Sequence, residues 1–277
     1  MAIKTILTPI DFSECSVNAL KTALRLCGKS GAHLIILHAI KDPIVMGNMQ
    51  PEEYTRVFIK ETEDKAREQF EALETEIPAL AEVGHEFRIS HDLVEDAVTV
   101  VQRNEEVDLI IMGTRGTSGL KGLLFGSHTY WVIQHAGCPV LTIPEQSVTD
   151  DRFDRIALAT ELREEGEKEV FDLLIHLVQL DESELHILHL TDDSVLASSK
   201  ADEAWKLESY FKDLEHSYHF RPEAHREETL MEYLEEKEVE MLAVVSKKRS
   251  VLQALFHQSL TRKLTFHLKT PLLILQG

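Results

Sequence analysis

Short apolar runs alternate along the chain with longer stretches whose apolar residues recur every three or four positions. The first run, Lys4-Thr5-Ile6-Leu7-Thr8-Pro9-Ile10-Asp11, is β-branched and apolar and predicts a strand buried on both faces. Ser13 is placed to cap a helix with apolar positions Val17, Leu20, Leu24 and Cys27, which Gly28 and Gly31 end. Ala32 to His38 predicts a second buried strand, followed by a polar helix from about Glu52 to Leu73. His85 to Ile89 predicts a third strand, and a helix around Leu93 to Asn104 leads into the strand Asp108 to Gly113. A glycine-rich loop, a helix near Thr129 to His135 and the strand Pro139 to Ile143 complete the unit. Strands alternating with helices specify α/β architecture, with a parallel sheet covered on both faces and doubly wound.

The plan then repeats. Arg155 to Thr160 matches the first strand, Leu185 to His189 the second, Glu240 to Val245 the fourth and Thr270 to Leu275 the last. The early matches lie 151 positions apart (His38 and His189) and the late ones 132 (Pro139 and Pro271). The second copy has therefore lost about nineteen residues between its second and fourth strands. Two domains follow, 1–146 and 152–277, joined by the polar stretch Glu145 to Asp151.

Composition narrows the function. A formal net charge of −19 argues against nonspecific binding to nucleic acid or an anionic membrane. Cys15, Cys27 and Cys138 are scattered and lack CxxC spacing, so buried thiols in a reducing cytoplasm are expected, with neither disulfide nor zinc. The fourteen histidines show no ligand set: His186 and His189 point to opposite faces of a strand, and His85 and His91 flank one. No GxSxG elbow or catalytic triad is visible, and the Glu-rich runs Glu61 to Glu76 and Glu227 to Glu240 read as solvated faces.

The chemistry concentrates after the fourth strand. Gly113-Thr114-Arg115-Gly116 is followed by nine residues and then Gly126-Ser127. This places glycines at the carboxyl edge of a parallel sheet, ahead of a helix whose first N–H groups suit an anion. The spacing is neither a P-loop nor the first-strand dinucleotide fingerprint. Gly119 and Gly122 read as turn residues, and Arg115 and Lys121 as cations that either screen phosphate or face solvent.

The G-x2-G-x9-G-[ST] loop, the early acid in Pro9-Ile10-Asp11 and the strand end His38-Ala39 together resemble the universal stress protein family. The resemblance covers nearly the whole chain as two copies. It implies two Rossmann-like domains, each a five-stranded sheet of order 3-2-1-4-5, and an ATP-binding regulatory role in the stress response, with ATP carrying Mg2+ as an option. It places Pro9, Asp11 and Ala39 at adenine and ribose, Met112 and Gly113 along the nucleoside, and Arg115, Gly116, Gly126, Ser127, His128 and Thr129 around the phosphates. It also implies that the last strands of the two halves pair as a pseudo-dimer, with a homodimer of whole chains and an unidentified protein partner as further expectations. Asp11 alternatively serves only as a helix-entry residue. The second copy departs from the pattern: Val245 stands for Gly113, Lys248 for Gly116, and His257-Gln258-Ser259 for Gly126-Ser127, so no ATP is expected there. A slow ATPase, or a phosphoryl- or nucleotidyl-transferring enzyme, is the rival; the acid it would need near the phosphates is not evident in the sequence.

Overall fold

The computed structural model describes residues 3–40, 52–115, 126–147, 152–160, 168–191, 207–222, 226–246 and 269–277. The first half runs β1 (Thr5–Pro9), α1 (Glu14–Ser30), β2 (His33–Ala39), α2 (Glu52–Glu76), β3 (His85–Ser90), α3 (Val94–Asn104), β4 (Leu109–Gly113), α4 (Ser127–His135) and β5 (Val140–Ile143). A 3-10 turn, Pro78–Glu82, precedes β3. The second half runs β6 (Arg155–Thr160), α5 (Asp172–Asp181), β7 (Glu184–Thr191), β8 (His216–Pro222), α6 (Arg226–Glu236), β9 (Met241–Ser246) and β10 (Leu272–Gln276).

The ten strands form one sheet in the order β3-β2-β1-β4-β5-β10-β9-β6-β7-β8. From its outer edge inward to the centre, each half is a parallel sheet of the expected 3-2-1-4-5 order. The halves join where β5 and β10 run antiparallel, Thr142 opposite Leu272, Leu141 opposite Leu273 and Val140 opposite Ile274. Thr142 Oγ1 also donates to Leu272 O at 3.2 Å. Both apolar layers cross this seam: one packs Leu20, Leu141 and Phe153 with Leu273, the other Val132 and Val140 with Leu272 and Leu242.

The duplication extends to individual hydrogen bonds. Asp108 accepts from the N–H groups of Lys4 and Thr5, and Glu240 from those of Asp154 and Arg155, so Glu240 is more than a solvated residue. His85 and His216 each open the third strand of their half, each donating from Nδ1 to the carbonyl two residues before it (Val83 and Leu214) at 3.0 Å. They are 131 positions apart, so the shortening lies between the second and third strands and not beyond.

One buried layer differs between the copies. Where the first half has Ile35, Arg88 and Val101, the second packs His186, His219 and Tyr233. Tyr233 Oη hydrogen bonds His186 Nδ1 at 2.9 Å, Ser217 Oγ meets His219 Nε2 at 2.9 Å, and the two imidazoles lie 4.7 Å apart. Burial first, then His186, Lys237 and Arg221, hold His219 below its ordinary pKa, against an opposing pull from Glu184. A depressed histidine stabilises the fold above its unfolded value, and that contribution is lost as pH falls. His219→Gln should therefore flatten the acid side of the stability profile below about pH 6.5. Melting temperatures measured in steps of pH would show this; a limb as steep as in the wild type would remove His219 from the account.

Candidate nucleotide site

In the first half α1 and α2 pack on one face of the sheet and α3 and α4 on the other. The loops leaving the adjacent strands β1 and β4 therefore depart to opposite faces, which opens a crevice at their carboxyl ends. Those expected residues that are described lie on its two sides.

On the β1 side, Pro9 is buried and Ile10 N–H still donates to Leu37 O at 2.8 Å. His38 Nδ1 donates to Ile10 O at 2.8 Å, pinning the end of β2 to the end of β1. Asp11 follows, half-buried, with Oδ1 accepting from Ser13 N–H at 3.1 Å and Ser13 Oγ at 2.5 Å. Ser13 Oγ in turn caps α1 by accepting from Ser16 N–H. Asp11 thus has the helix-entry role that the sequence left open, and it holds that role at the mouth of the crevice. Phe12 turns the chain at φ 61°, a conformation that costs a non-glycine residue about 1–2 kcal/mol. Its ring packs against His38, centroids 4.9 Å apart, and recovers part of that cost. Ala39 stands half-buried at the end of β2, opposite Ser90.

On the β4 side, Met112 is buried and Gly113 ends the strand. A Cβ on Gly113 would lie 2.9 Å from Cys15 Sγ and 3.0 Å from the Cys15 carbonyl carbon and oxygen. Glycine is required there by the approach of α1, a packing reason that the sequence did not disclose. Thr114 N–H donates to Ile143 O, and Gly126 N–H to Thr114 O at 2.7 Å, so the two arms of the loop are tied together just before half-buried Arg115. Gly116, Gly119, Lys121 and Gly122 lie outside the described residues.

Gly126 caps α4 with φ −63° and ψ 161°, which any residue can adopt, and among the described residues a Cβ there would meet Thr114 O at 3.8 Å and Arg115 Cα at 4.0 Å, both ordinary contacts. Its value is a helix start that its described neighbours leave clear. The first-turn N–H groups of α4, beginning with Ser127, have no intrahelical acceptors, and that turn carries no acidic side chain. Buried Thr129 fastens the turn by donating from Oγ1 to Gly113 O at 3.0 Å. His128 turns toward α3, its Nδ1 lying 2.7 Å from Glu95 Oε1. Glu95 escaped sequence reasoning. The available signal was its place in the first turn of α3, since every helix after a parallel strand starts at the same edge of the sheet.

The buried thiols are as expected among the described residues: Cys15, Cys27 and Cys138 are unpaired, and burial pushes Cys27 and Cys138 up to about 12. The described residues contain no group of three metal-ligating side chains. Their helices include none long and apolar enough to cross a membrane. His85 and His91 do meet carboxylates of α2, Glu74 at 3.6 Å and Glu63 at 2.7 Å, one partner each.

Residues 2–144 match the sequence model of the universal stress protein family. The chain belongs to that family. Universal stress protein YxiE of Bacillus subtilis is 32% identical over 145 residues, covering 50% of this chain and 96% of its own. Universal stress protein MJ0577 of Methanocaldococcus jannaschii is 29% identical over 161 residues, 52% of this chain and 96% of that one. A crystal structure of a universal stress protein from Archaeoglobus fulgidus covers 98% of this chain and 96% of its own, with a TM-score of 0.73 and 21% identity, and shares the fold from end to end. One universal stress domain thus accounts for half of this chain, and the doubled fold has a full-length counterpart.

In the second half the same edge is built differently. His189 Nδ1 donates to Thr160 O at 2.9 Å, repeating the His38–Ile10 pin. Val245, however, pairs with Leu275 as Gly113 pairs with Ile143, so a β-branched side chain holds the register that the first universal stress domain keeps empty. Glu161, the cations Lys247, Lys248 and Arg249, and His257-Gln258-Ser259 lie outside the described residues.

Proposed function

We propose that the chain is an ATP-binding regulatory module of the stress response, with one nucleotide site in domain 1–146 and none in domain 152–277. Adenine and ribose lie against Pro9, Asp11, Ala39, Met112 and Gly113; the phosphates lie against Arg115, Gly116, Gly126, Ser127, His128 and Thr129. The observation that supports this best is the start of α4, capped by Gly126, clear of its described neighbours and free of acidic side chains in its first turn, at the crevice between β1 and β4. Domain 152–277 serves as a structural partner: β10 covers the edge of β5, which would otherwise be an exposed template for pairing. Nucleotide occupancy is read out by a partner protein. Mg2+, where present, would enter with the triphosphate: Asp11 Oδ1 is engaged by Ser13 and Glu95 Oε1 by His128, and the described residues form no three-ligand metal group.

Calorimetric titration of the full chain with ATP should give a stoichiometry near one. Two equal sites would overturn the assignment of domain 152–277, and no binding would overturn the reading as a whole.

A further inference from the structure

The first turns of α3 and α4 meet at the carboxyl edge, and a carboxylate–imidazole pair joins them. Glu95 Oε1 lies 2.7 Å from His128 Nδ1. The other oxygen, Oε2, is buried and accepts no hydrogen bond among the described residues. The carboxylate is half-buried with one oxygen out of water, and His128 together with the positive end of α3 compensates its charge there. Such a bond also fixes the ring. Nδ1–H is committed to the carboxylate, and Nε2 is turned to the opposite side of the imidazole. Nε2 has no hydrogen-bond partner among the described residues. It belongs to the second residue of α4, in the turn whose open N–H groups form the proposed phosphate site.

We infer that Glu95 is a positioning residue that holds His128 with Nε2 directed at the phosphate chain, so that the pair makes the site prefer adenosine polyphosphates to adenosine. The inference rests on the nucleotide reading above. Between a carboxylate on one side and phosphate oxygens on the other, both ring nitrogens act as donors, and a charge-assisted hydrogen bond forms only when phosphate is present. The gain is absent for a nucleoside, which leaves the α4 turn empty. Arg115, Ser127 and the backbone supply general attraction to the anion; the Glu95–His128 pair adds a donor whose direction is set from the opposite helix.

The experiment compares ATP, AMP and adenosine by calorimetry on the full-length wild type and the variants His128→Ala, Glu95→Ala and Glu95→Gln. Melting curves run alongside confirm that each variant is folded. His128→Ala should weaken ATP about tenfold and leave adenosine unchanged, which corresponds to about 1.4 kcal/mol. Glu95→Ala should do the same by releasing the ring. Glu95→Gln keeps an acceptor for Nδ1–H and should retain most of the preference for ATP. A purely structural role for the pair would weaken ATP and adenosine together. An unchanged ratio of ATP to adenosine affinity in His128→Ala overturns the inference while the nucleotide reading stands. An unchanged ratio in Glu95→Ala alone overturns the part assigned to Glu95. Wild-type chain that takes up none of the three ligands overturns the nucleotide reading itself, and the inference with it.

Discussion

Asp181→Ala should lower the melting temperature of the full chain by roughly 6–12 °C, the equivalent of about 3 kcal/mol for a protein of this size. Asp181 is the last residue of α5, where the negative end of the helix disfavours an acid, and α5 has no basic residue in its last turn. The compensation comes from the other half. Arg25 Nη1 of α1 lies 2.9 and 2.7 Å from the two carboxylate oxygens, and Lys29 Nζ is 2.8 Å from Oδ1. Phe153 N–H, at the entry to β6, donates to Oδ2 at 3.0 Å, and the Arg25 guanidinium lies over the Phe153 ring at 4.5 Å. The Asp181 side chain is 1% exposed and that of Arg25 13%, so this pair is largely removed from water and screened little by salt, while Lys29 stays partly exposed. Truncating Asp181 removes the carboxylate that Arg25 and Lys29 share in a largely buried place, and losing one member of such a cluster costs more than the intact pair gains.

The same residue fixes the pH dependence. Burial raises its pKa, but Lys29, Arg25 and the Phe153 N–H outweigh burial and hold the carboxyl below its ordinary value. A depressed carboxylate contributes stability above its unfolded pKa and loses it as pH falls through the folded one. The gap between wild type and Asp181→Ala should therefore be constant from pH 8 to about pH 5 and close only in stronger acid. The exposed pair of Arg152 with Asp154 provides the control, because its removal should cost well under about 1 kcal/mol. Equal melting of wild type and Asp181→Ala at pH 7 would show that the β5–β10 seam and the apolar layers hold the halves together without the clamp.

What could be read from the sequence and what could not divide along physical lines. Buried strands announce themselves by continuous apolar runs, so β1, β2, β4, β5 and their copies β6, β7, β9 and β10 were predictable within a residue or two. β8 was not. Its residues, His-Ser-Tyr-His-Phe-Arg-Pro, are half-buried or exposed at the edge of the sheet and carry little of the hydrophobic signal on which strand prediction depends. The order of strands and the β5–β10 pairing both followed from family resemblance. Side-chain partnerships between distant segments could not be read. Arg25 and Asp181 are 156 positions apart, Glu95 and His128 33, and nothing in local pattern links them. At the site, the sequence identified the glycines but not their separate reasons. Gly113 is small because α1 comes close, whereas Gly126 is under no such constraint from its described surroundings, and this difference can be tested directly.

Gly113→Val should destabilise the chain by about 2–4 kcal/mol, whereas Gly126→Ser should leave it as stable as the wild type and yet weaken ATP. At position 113 the new Cβ meets the thiol and the carbonyl of Cys15 at 2.9–3.0 Å. The thiol can rotate away, but the carbonyl belongs to the first turn of α1. That turn is held by the Ser13 cap, by the hydrogen bonds of Asp11 and by the Cys15 Sγ–H donated to Ile143 O at 3.3 Å. Relief requires α1 to move away from β4 and β5, which unpacks Leu20 and Leu24 from the sheet and displaces Asp11. The second half tolerates Val245 in this register with a different helix entry: its described helix opens with the 3-10 turn Lys168–Phe171 and continues as the ten-residue α5, against seventeen residues in α1. At position 126 the backbone is extended and the nearest contact is ordinary, and serine is a favourable cap, so the fold has no reason to object. What serine adds is a side chain at the mouth of the α4 turn, whose oxygen competes with phosphate for the same N–H groups. Melting curves and ATP titrations on the two variants separate the effects. Gly113→Val melting with the wild type would show that α1 is not held by this contact. Gly126→Ser binding ATP at wild-type affinity would mean that the phosphates do not lie against the start of α4.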